Sequence, residues 1–161
     1  MLLLFALYGL RTSEVAALTL EDIDWQNDRL QVAGAKGGKT RAYPLLPTVG
    51  NAIARYLRTV RPRSSSREVF LTLYPPFRPL SPGTLYGITQ QQLRALGVRT
   101  KHYGPHALRH ACAARLVSEG LSLKEIGDHL GHRSPKATRI YAKVDLPALR
   151  EVAAFDLGEL S

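Results

Sequence analysis

Helix start and stop signals recur through the second half of the sequence and leave little room for other structure. A capping residue at or just before a proline, or a serine followed three positions later by glutamate, marks a helix start. Such starts stand at Ser81-Pro82, Pro105, Ser122, Ser134-Pro135 and Asp145-Leu146-Pro147. Glycines that end helices follow the first three, at Gly97, Gly120 and Gly131. The second half is therefore predicted to be a series of short helices.

The first half also begins with helical segments. Residues 1–8 form an apolar stretch that Gly9 interrupts, which predicts a buried helix. Ser13 is expected to cap a second, short helix over residues 14–18. Further along, Thr48 is expected to cap a helix with one apolar face.

Strand signals are confined to short segments of the first half. Residues 29–32 alternate between polar and apolar side chains, residues 36–39 form a basic turn, and residues 41–45 return, which predicts a β-hairpin. Residues 69–71 are predicted to form a third strand. The predicted fold class is mainly α with a small antiparallel β-sheet (α+β).

The charge of the chain indicates a negatively charged partner. Lysine and arginine total 22 against 13 acidic residues, a net charge of +9 in 161 residues. Such an excess is typical of nucleic-acid binders, although ribosomal and membrane-surface proteins share it. No apolar run approaches the ~20 residues that span a bilayer. The single cysteine, Cys112, excludes an internal disulfide and suits a reducing cytoplasm.

Residues suited to phosphate chemistry stand in the last third. His106 and Arg109 lie at a predicted helix start, and their spacing places both side chains on one helix face. A helix N-terminus that carries an arginine and a histidine suits a phosphate group. Leu130-Gly131-His132 follows, and Tyr141 stands nine residues after His132.

This ordered pattern resembles the signature of the tyrosine recombinases, the phage integrase family. The family also has an arginine near the start of its catalytic domain, matched here by Arg11 within the segment 9–14. It has a lysine in the turn of a β-hairpin, matched by Lys36. Six motif positions are filled in order along nearly the whole chain. The resemblance implies the tyrosine recombinase catalytic-domain fold and the cutting and rejoining of DNA.

The resemblance implies covalent catalysis by Tyr141. Its hydroxyl would attack phosphorus and form a 3′-phosphotyrosyl link, which stores the bond energy without ATP. Arg11 and Arg109 would clamp the two non-bridging oxygens through bidentate donors. Neither a metal nor another cofactor is expected.

Three further residues would complete the catalytic set. A tyrosine with a pKa near ~10 is a poor nucleophile at neutral pH, so His106 is the expected base. The family assigns protonation of the leaving 5′-oxygen to the hairpin lysine, here Lys36, although Lys39 shares the same turn. His132 would hydrogen-bond a non-bridging oxygen.

Other basic residues are candidates for contacts with the DNA backbone, although a solvated basic face is an equal reading for the last three. These are Lys39, Arg41, Arg133, Lys136 and Arg139. Glu14 is expected to orient Arg11 or to cap a helix. His106 and His110 could be read as zinc ligands, but a metalloprotease motif would require glutamate where Ala107 stands.

We expect residues 1–161 to form one catalytic domain whose partner is double-stranded DNA, in the cytoplasm at a prokaryotic nucleoid. Typical family members add an N-terminal domain that clamps the opposite face of the DNA. No counterpart is recognised in this sequence, so weak DNA affinity is expected.

The apolar residues of the tail, 146–161, are expected to pack on the same domain or on a neighbouring protomer, as in the tetramers that the family forms on DNA. Without DNA, a monomer or weak self-association is expected. Two alternatives remain open: a catalytically silent DNA-binding remnant, and a type IB topoisomerase-like activity.

Overall fold

The computed structural model describes residues 1–34, 38–98 and 103–132, together with Thr138. Within these residues the chain forms six helices and three strands. The helices are α1 (Leu2–Tyr8), α2 (Thr12–Ala16), α3 (Pro47–Thr59), α4 (Pro82–Ala95), α5 (Pro105–Ser118) and α6 (Leu123–Leu130). The strands are β1 (Ile23–Asp24), β2 (Arg29–Gly34) and β3 (Gly38–Pro44). The predicted fold class, mainly α with a small antiparallel sheet, is confirmed.

The sheet is an antiparallel meander in the order β1-β2-β3. The predicted hairpin is its centre, with Leu30 paired to Tyr43 and Val32 paired to Arg41. The prediction of a strand at residues 69–71 was wrong, because that segment belongs to no strand of the sheet and makes one isolated bridge, from Leu71 to Pro79. The third strand is instead β1, which pairs with the outer edge of β2.

The hydrophobic core holds the helices against the sheet. Helix α1 contributes fully buried Leu4 and Phe5, and strand β2 contributes Leu30 and Val32. A second cluster joins α5 to α6 through residues that include Cys112, Ile126 and Leu130. These contacts bring the C-terminal end of α6 beside the turn that follows α1. None of the described helices is both long and apolar enough to cross a membrane.

Candidate active site

Four of the six predicted catalytic residues line one pocket. Arg11, His106, Arg109 and His132 surround a cavity of about 570 Å³. The rest of its wall comes from Leu10, Thr12, Ser13, Pro82, Pro105 and His110. The pocket therefore unites residues from the start of α2, the start of α5 and the segment that follows α6.

Local backbone signals place the first arginine. Gly9 ends α1 in the left-handed conformation, with φ +62°, and turns the chain toward the pocket. Arg11 follows in an extended conformation as the N-cap of α2. A side chain at Gly9 would also collide with Leu130, since an added Cβ would lie 2.5 Å from its Cδ2. The glycine thus provides both the turn and the close approach of α6.

The start of α5 presents its two predicted site residues differently. Gly104 and Pro105 begin the helix, and His106 in its first turn is exposed. Arg109, one turn later, is only 6% exposed. The histidine can therefore reach a ligand in solvent, whereas the arginine forms part of the pocket floor.

Both pocket arginines are held by carbonyl groups at the end of α6. Arg11 Nη2 donates to the Gly131 carbonyl oxygen at 2.7 Å, and Arg109 Nη2 donates to that of Leu130 at 2.8 Å. Arg109 Nη1 also donates to the Gly9 carbonyl oxygen. Carbonyls at a helix C-terminus carry partial negative charge and lack partners within the helix. The α6 terminus therefore stabilises two guanidiniums side by side.

Glu14 supports the first arginine from below. Its carboxylate accepts a bond from the Arg11 backbone N–H at 2.8 Å and one from Arg11 Nη1 at 2.9 Å. The Glu14 side chain is 1% exposed, whereas that of Arg11 is 32% exposed. Both roles expected for Glu14, orienting the arginine and capping the helix, are observed. The arginine keeps an accessible face toward the pocket.

His132 is held as a neutral ring. Burial, together with the charges of Arg109, Arg11 and Arg41, lowers its pKa to about 4. Its Nδ1 lies 2.8 Å from the Thr138 hydroxyl oxygen. In the tautomer in which Nδ1 accepts that bond, Nε2 carries the proton and can donate it to a phosphate oxygen.

The structure places Arg41 differently from the expectation of a phosphate contact. Its side chain is 13% exposed and forms an ion pair with Glu14, with Nη2 and Oε1 2.6 Å apart. Nη1 donates to the His129 carbonyl oxygen at 3.0 Å. Because these partners lie inside the protein, the position favours a structural role. Lys39, by contrast, is exposed on β3.

Sequence reasoning missed two residues that hold this site together. Tyr43 donates from its hydroxyl to the same His129 carbonyl oxygen at 2.5 Å, and burial raises its pKa to about 12, so it remains a donor. Thr138 contacts His132. Alternation along β3 could have marked Tyr43 as buried, but no sequence pattern names its partner.

Several predicted residues lie outside the described part of the chain. They are Lys36, Arg133, Lys136, Arg139 and Tyr141, together with the tail 146–161. The zinc reading of His106 and His110 concerns residues that are described. Within the ranges given above, no group of three or more His, Cys, Asp or Glu side chains could hold a metal ion.

The sequence matches a known family and named relatives. The model of the phage integrase family matches residues 1–146. The protein y4rA of Sinorhizobium fredii, named as an integrase/recombinase, is 46% identical across 95% of this chain and 37% of y4rA. A second protein of the same organism, y4gC, also named as an integrase/recombinase, is 41% identical across 93% of this chain and 78% of y4gC. Tyrosine recombinase XerA of Pyrococcus horikoshii is 35% identical across 93% of this chain and 52% of XerA.

Solved structures share the fold. A crystal structure of XerA recombinase superimposes with a TM-score of 0.77 at 26% identity, over 94% of this chain and 54% of that chain. The XerH site-specific recombinase bound to its difH substrate gives a TM-score of 0.75 at 24% identity, over 96% of this chain and 44% of that chain. The present chain thus spans about half of each solved recombinase.

Proposed function

Because the chain belongs to the phage integrase family, we propose that it carries out the strand cutting and rejoining of a site-specific DNA recombinase. The observation that supports this most directly is the pocket shared by Arg11, His106, Arg109 and His132. These side chains come from three separate parts of the chain. Their convergence has no evident purpose in a domain that only packs a core.

The pocket suits a phosphodiester. Two guanidiniums present planar sets of N–H donors, and a neutral histidine adds another donor nearby. As phosphorus becomes five-coordinate, negative charge grows on its non-bridging oxygens. Donors that are already fixed stabilise that charge without reorganising, an effect worth roughly 100-fold or more in rate for a single donor. The anchoring of Arg11 and Arg109 on α6 supplies this fixation.

Tyr141 is the proposed nucleophile. Its oxygen forms a bond to phosphorus as the bond from phosphorus to the 5′-oxygen breaks, leaving a 3′-phosphotyrosyl link. His106 takes the tyrosine proton, and Lys36 gives a proton to the departing 5′-oxygen. Rejoining reverses each transfer when a 5′-hydroxyl attacks the link. Each cycle conserves the number of phosphodiester bonds, so neither water nor ATP is consumed.

Double-stranded DNA is the proposed substrate and partner. The net charge of +9 supports binding to a polyanion, and XerH in the structure compared above is bound to its DNA substrate. We place residues 1–161 in one catalytic domain that acts at the nucleoid. Its tail is proposed to join neighbouring protomers when several copies assemble on DNA.

A nicked suicide duplex tests this function. The nick lets a short strand diffuse away after cleavage, so the covalent complex accumulates and can be counted on a denaturing gel. We expect wild type to form the complex and Tyr141→Phe to abolish it while DNA binding persists. DNA binding by wild type without any covalent complex would point to the silent remnant instead.

A further inference from the structure

Arg41 lies on β3 of the hairpin and contacts both α2, through Glu14, and the end of α6, through the His129 carbonyl oxygen. We propose that Arg41 is a positioning residue that sets the hairpin, Arg11 and His132 relative to one another. It would thereby act on the phosphate without touching it. This inference rests on the proposed function, because the residues that it positions are the proposed catalytic ones.

The first contact connects Arg41 to the arginine of α2. Glu14 Oε1 accepts from Arg41 Nη2 at 2.6 Å and from Arg11 Nη1 at 2.9 Å. One buried oxygen therefore bridges two guanidiniums. If Arg41 were lost, the Glu14 carboxylate would bind Arg11 alone and could rotate. The guanidinium of Arg11 would then take a different orientation in the pocket.

The second contact connects Arg41 to the chain that enters His132. Its Nη1 donates to the His129 carbonyl oxygen in the last turn of α6. Its guanidinium also packs against Gly131, where an added Cβ would lie 2.6 Å from Nη1. His132 comes next, held by a bond from its backbone N–H to the Gly127 carbonyl oxygen at 2.8 Å. The Arg41 guanidinium thus holds the turn at Gly131 that leads into His132.

The third connection runs through the hairpin itself. Arg41 stands on β3 opposite Val32 of β2. Strand β3 begins at Gly38, two residues after Lys36 in the sequence. Holding β3 against α2 and α6 holds the strand that follows Lys36 in the sequence. Arg41 thereby connects the strand next to the proposed general acid in the sequence with the contacts of Arg11 and the turn before His132.

Salt dependence separates positioning from phosphate contact. A basic side chain that neutralises one DNA phosphate adds about 0.9 to the slope of log affinity against log salt. Arg41 is already neutralised by Glu14, so its removal should leave that slope unchanged. Lys39 is exposed two positions earlier on the same strand and is the matched comparison.

The experiment compares Arg41→Gln, Arg41→Lys and Lys39→Gln in the full chain. Covalent-complex formation is measured in a single turnover at saturating suicide DNA, and affinity is measured across salt concentrations. We expect both Arg41 variants to slow the covalent step by roughly 10-fold to 100-fold with an unchanged salt slope. Lysine at position 41 should not restore the rate of the covalent step. It keeps the charge of arginine but lacks the planar set of N–H donors that binds Glu14 and the His129 carbonyl together. Lys39→Gln should lower the slope by about 0.9.

The opposite pattern overturns the proposal: a lower salt slope for Arg41→Gln with a wild-type covalent step. If wild type itself forms no covalent complex, the proposed function fails, and NMR then tests the positioning. The histidine ring resonances of Arg41→Lys, which retains the charge, should differ from wild type at His129 and His132. Unchanged ring resonances at both histidines would contradict the proposed positioning role of Arg41. If Arg41→Gln does not fold, Arg41→Lys carries the test through the covalent step and the NMR comparison, and a wild-type covalent step in that variant overturns the proposal.

Discussion

The guanidinium of Arg11 donates to the carbonyl oxygen of Gly131 at 2.7 Å. This bond joins the N-cap residue of α2 to the residue directly before His132, although most of the sequence separates them. Arg109 donates to the preceding carbonyl, that of Leu130. Both guanidiniums of the pocket are therefore held by the C-terminal end of the same helix, α6. The relative position of the donors is therefore set before any ligand arrives, which is the condition for effective electrostatic catalysis.

Replacing either pocket arginine by lysine should reduce the covalent step far more than DNA affinity. Arg11→Lys and Arg109→Lys keep the charge but lose the planar fork that binds a carbonyl and a phosphate together. We expect the single-turnover rate on suicide DNA to fall roughly 100-fold, with affinity changed by less than about tenfold. The exposed Arg58→Lys serves as the control and should retain the wild-type rate. Equal rates for all three variants would contradict the phosphate clamp.

Glu14→Gln should destabilise the fold. The substitution removes the charge between Arg11 and Arg41 and leaves two partly buried guanidiniums uncompensated, at a cost of about 3 kcal/mol. Urea denaturation measures the free energy of unfolding. Glu21→Gln is the matched control, because the Glu21–Arg67 pair is exposed at 57% and 63%. We expect no measurable change there, so a similar loss in both variants would contradict a special role for Glu14.

Gly131→Ala should cost more stability than Gly97→Ala. Both glycines have left-handed backbone, with φ +65° and +69°, so alanine is strained at either position by about 1–2 kcal/mol. At Gly97 an added Cβ meets nothing within 4 Å, whereas at Gly131 it meets the anchored Arg41 guanidinium. Urea denaturation of the two variants measures the difference. Introducing Arg41→Gln alongside Gly131→Ala should remove most of the excess, and an unchanged excess would exclude the contact.

Acidification should weaken the fold partly through His132. Its pKa is about 4 in the folded protein, against an ordinary value of 6.5. The unfolded chain therefore takes up the proton first as pH falls, so the stability contributed by the neutral ring is present above about pH 6.5 and is lost toward pH 4. We expect the free energy of unfolding to drop more between pH 7 and pH 5 in wild type than in His132→Gln. Equal drops would contradict the shifted pKa.

Capping chemistry made several helix boundaries predictable, because it acts within three or four residues. Ser81 accepts a bond from the Thr84 backbone N–H at 3.1 Å, as expected of an N-cap. The capping box between Ser122 and Glu125 is present. The same reasoning erred at Ser13, because α2 begins earlier, at Thr12. There the Glu14 carboxylate binds the Arg11 backbone N–H, and the choice of cap depended on an ion pair.

Two other local signals were overruled by the chain around them. Thr48 was expected to cap α3, but the helix starts at Pro47 with Leu46 as its N-cap. Residues 69–71 have strand-forming composition, yet the sheet does not extend to them. Their backbone pairs instead with short neighbouring segments, as in the bond from the Val69 N–H to the Leu18 carbonyl oxygen. The composition of a segment can favour an extended backbone, but it does not determine which segment pairs with it.

The sequence by itself determined the family, the fold class and four side chains that meet in one pocket, because motif order and residue type carry that information along the chain. Only the tertiary structure decided what each cation faces. Arg41 and Lys39 are similar basic residues of one strand, yet Arg41 binds Glu14 and the His129 carbonyl whereas Lys39 is exposed to solvent. Residues two apart lie on the same face of a strand, so alternation does not distinguish them. The difference is that α2 and α6 cover this face at Arg41 and leave Lys39 exposed, and α6 is remote from β3 in the sequence.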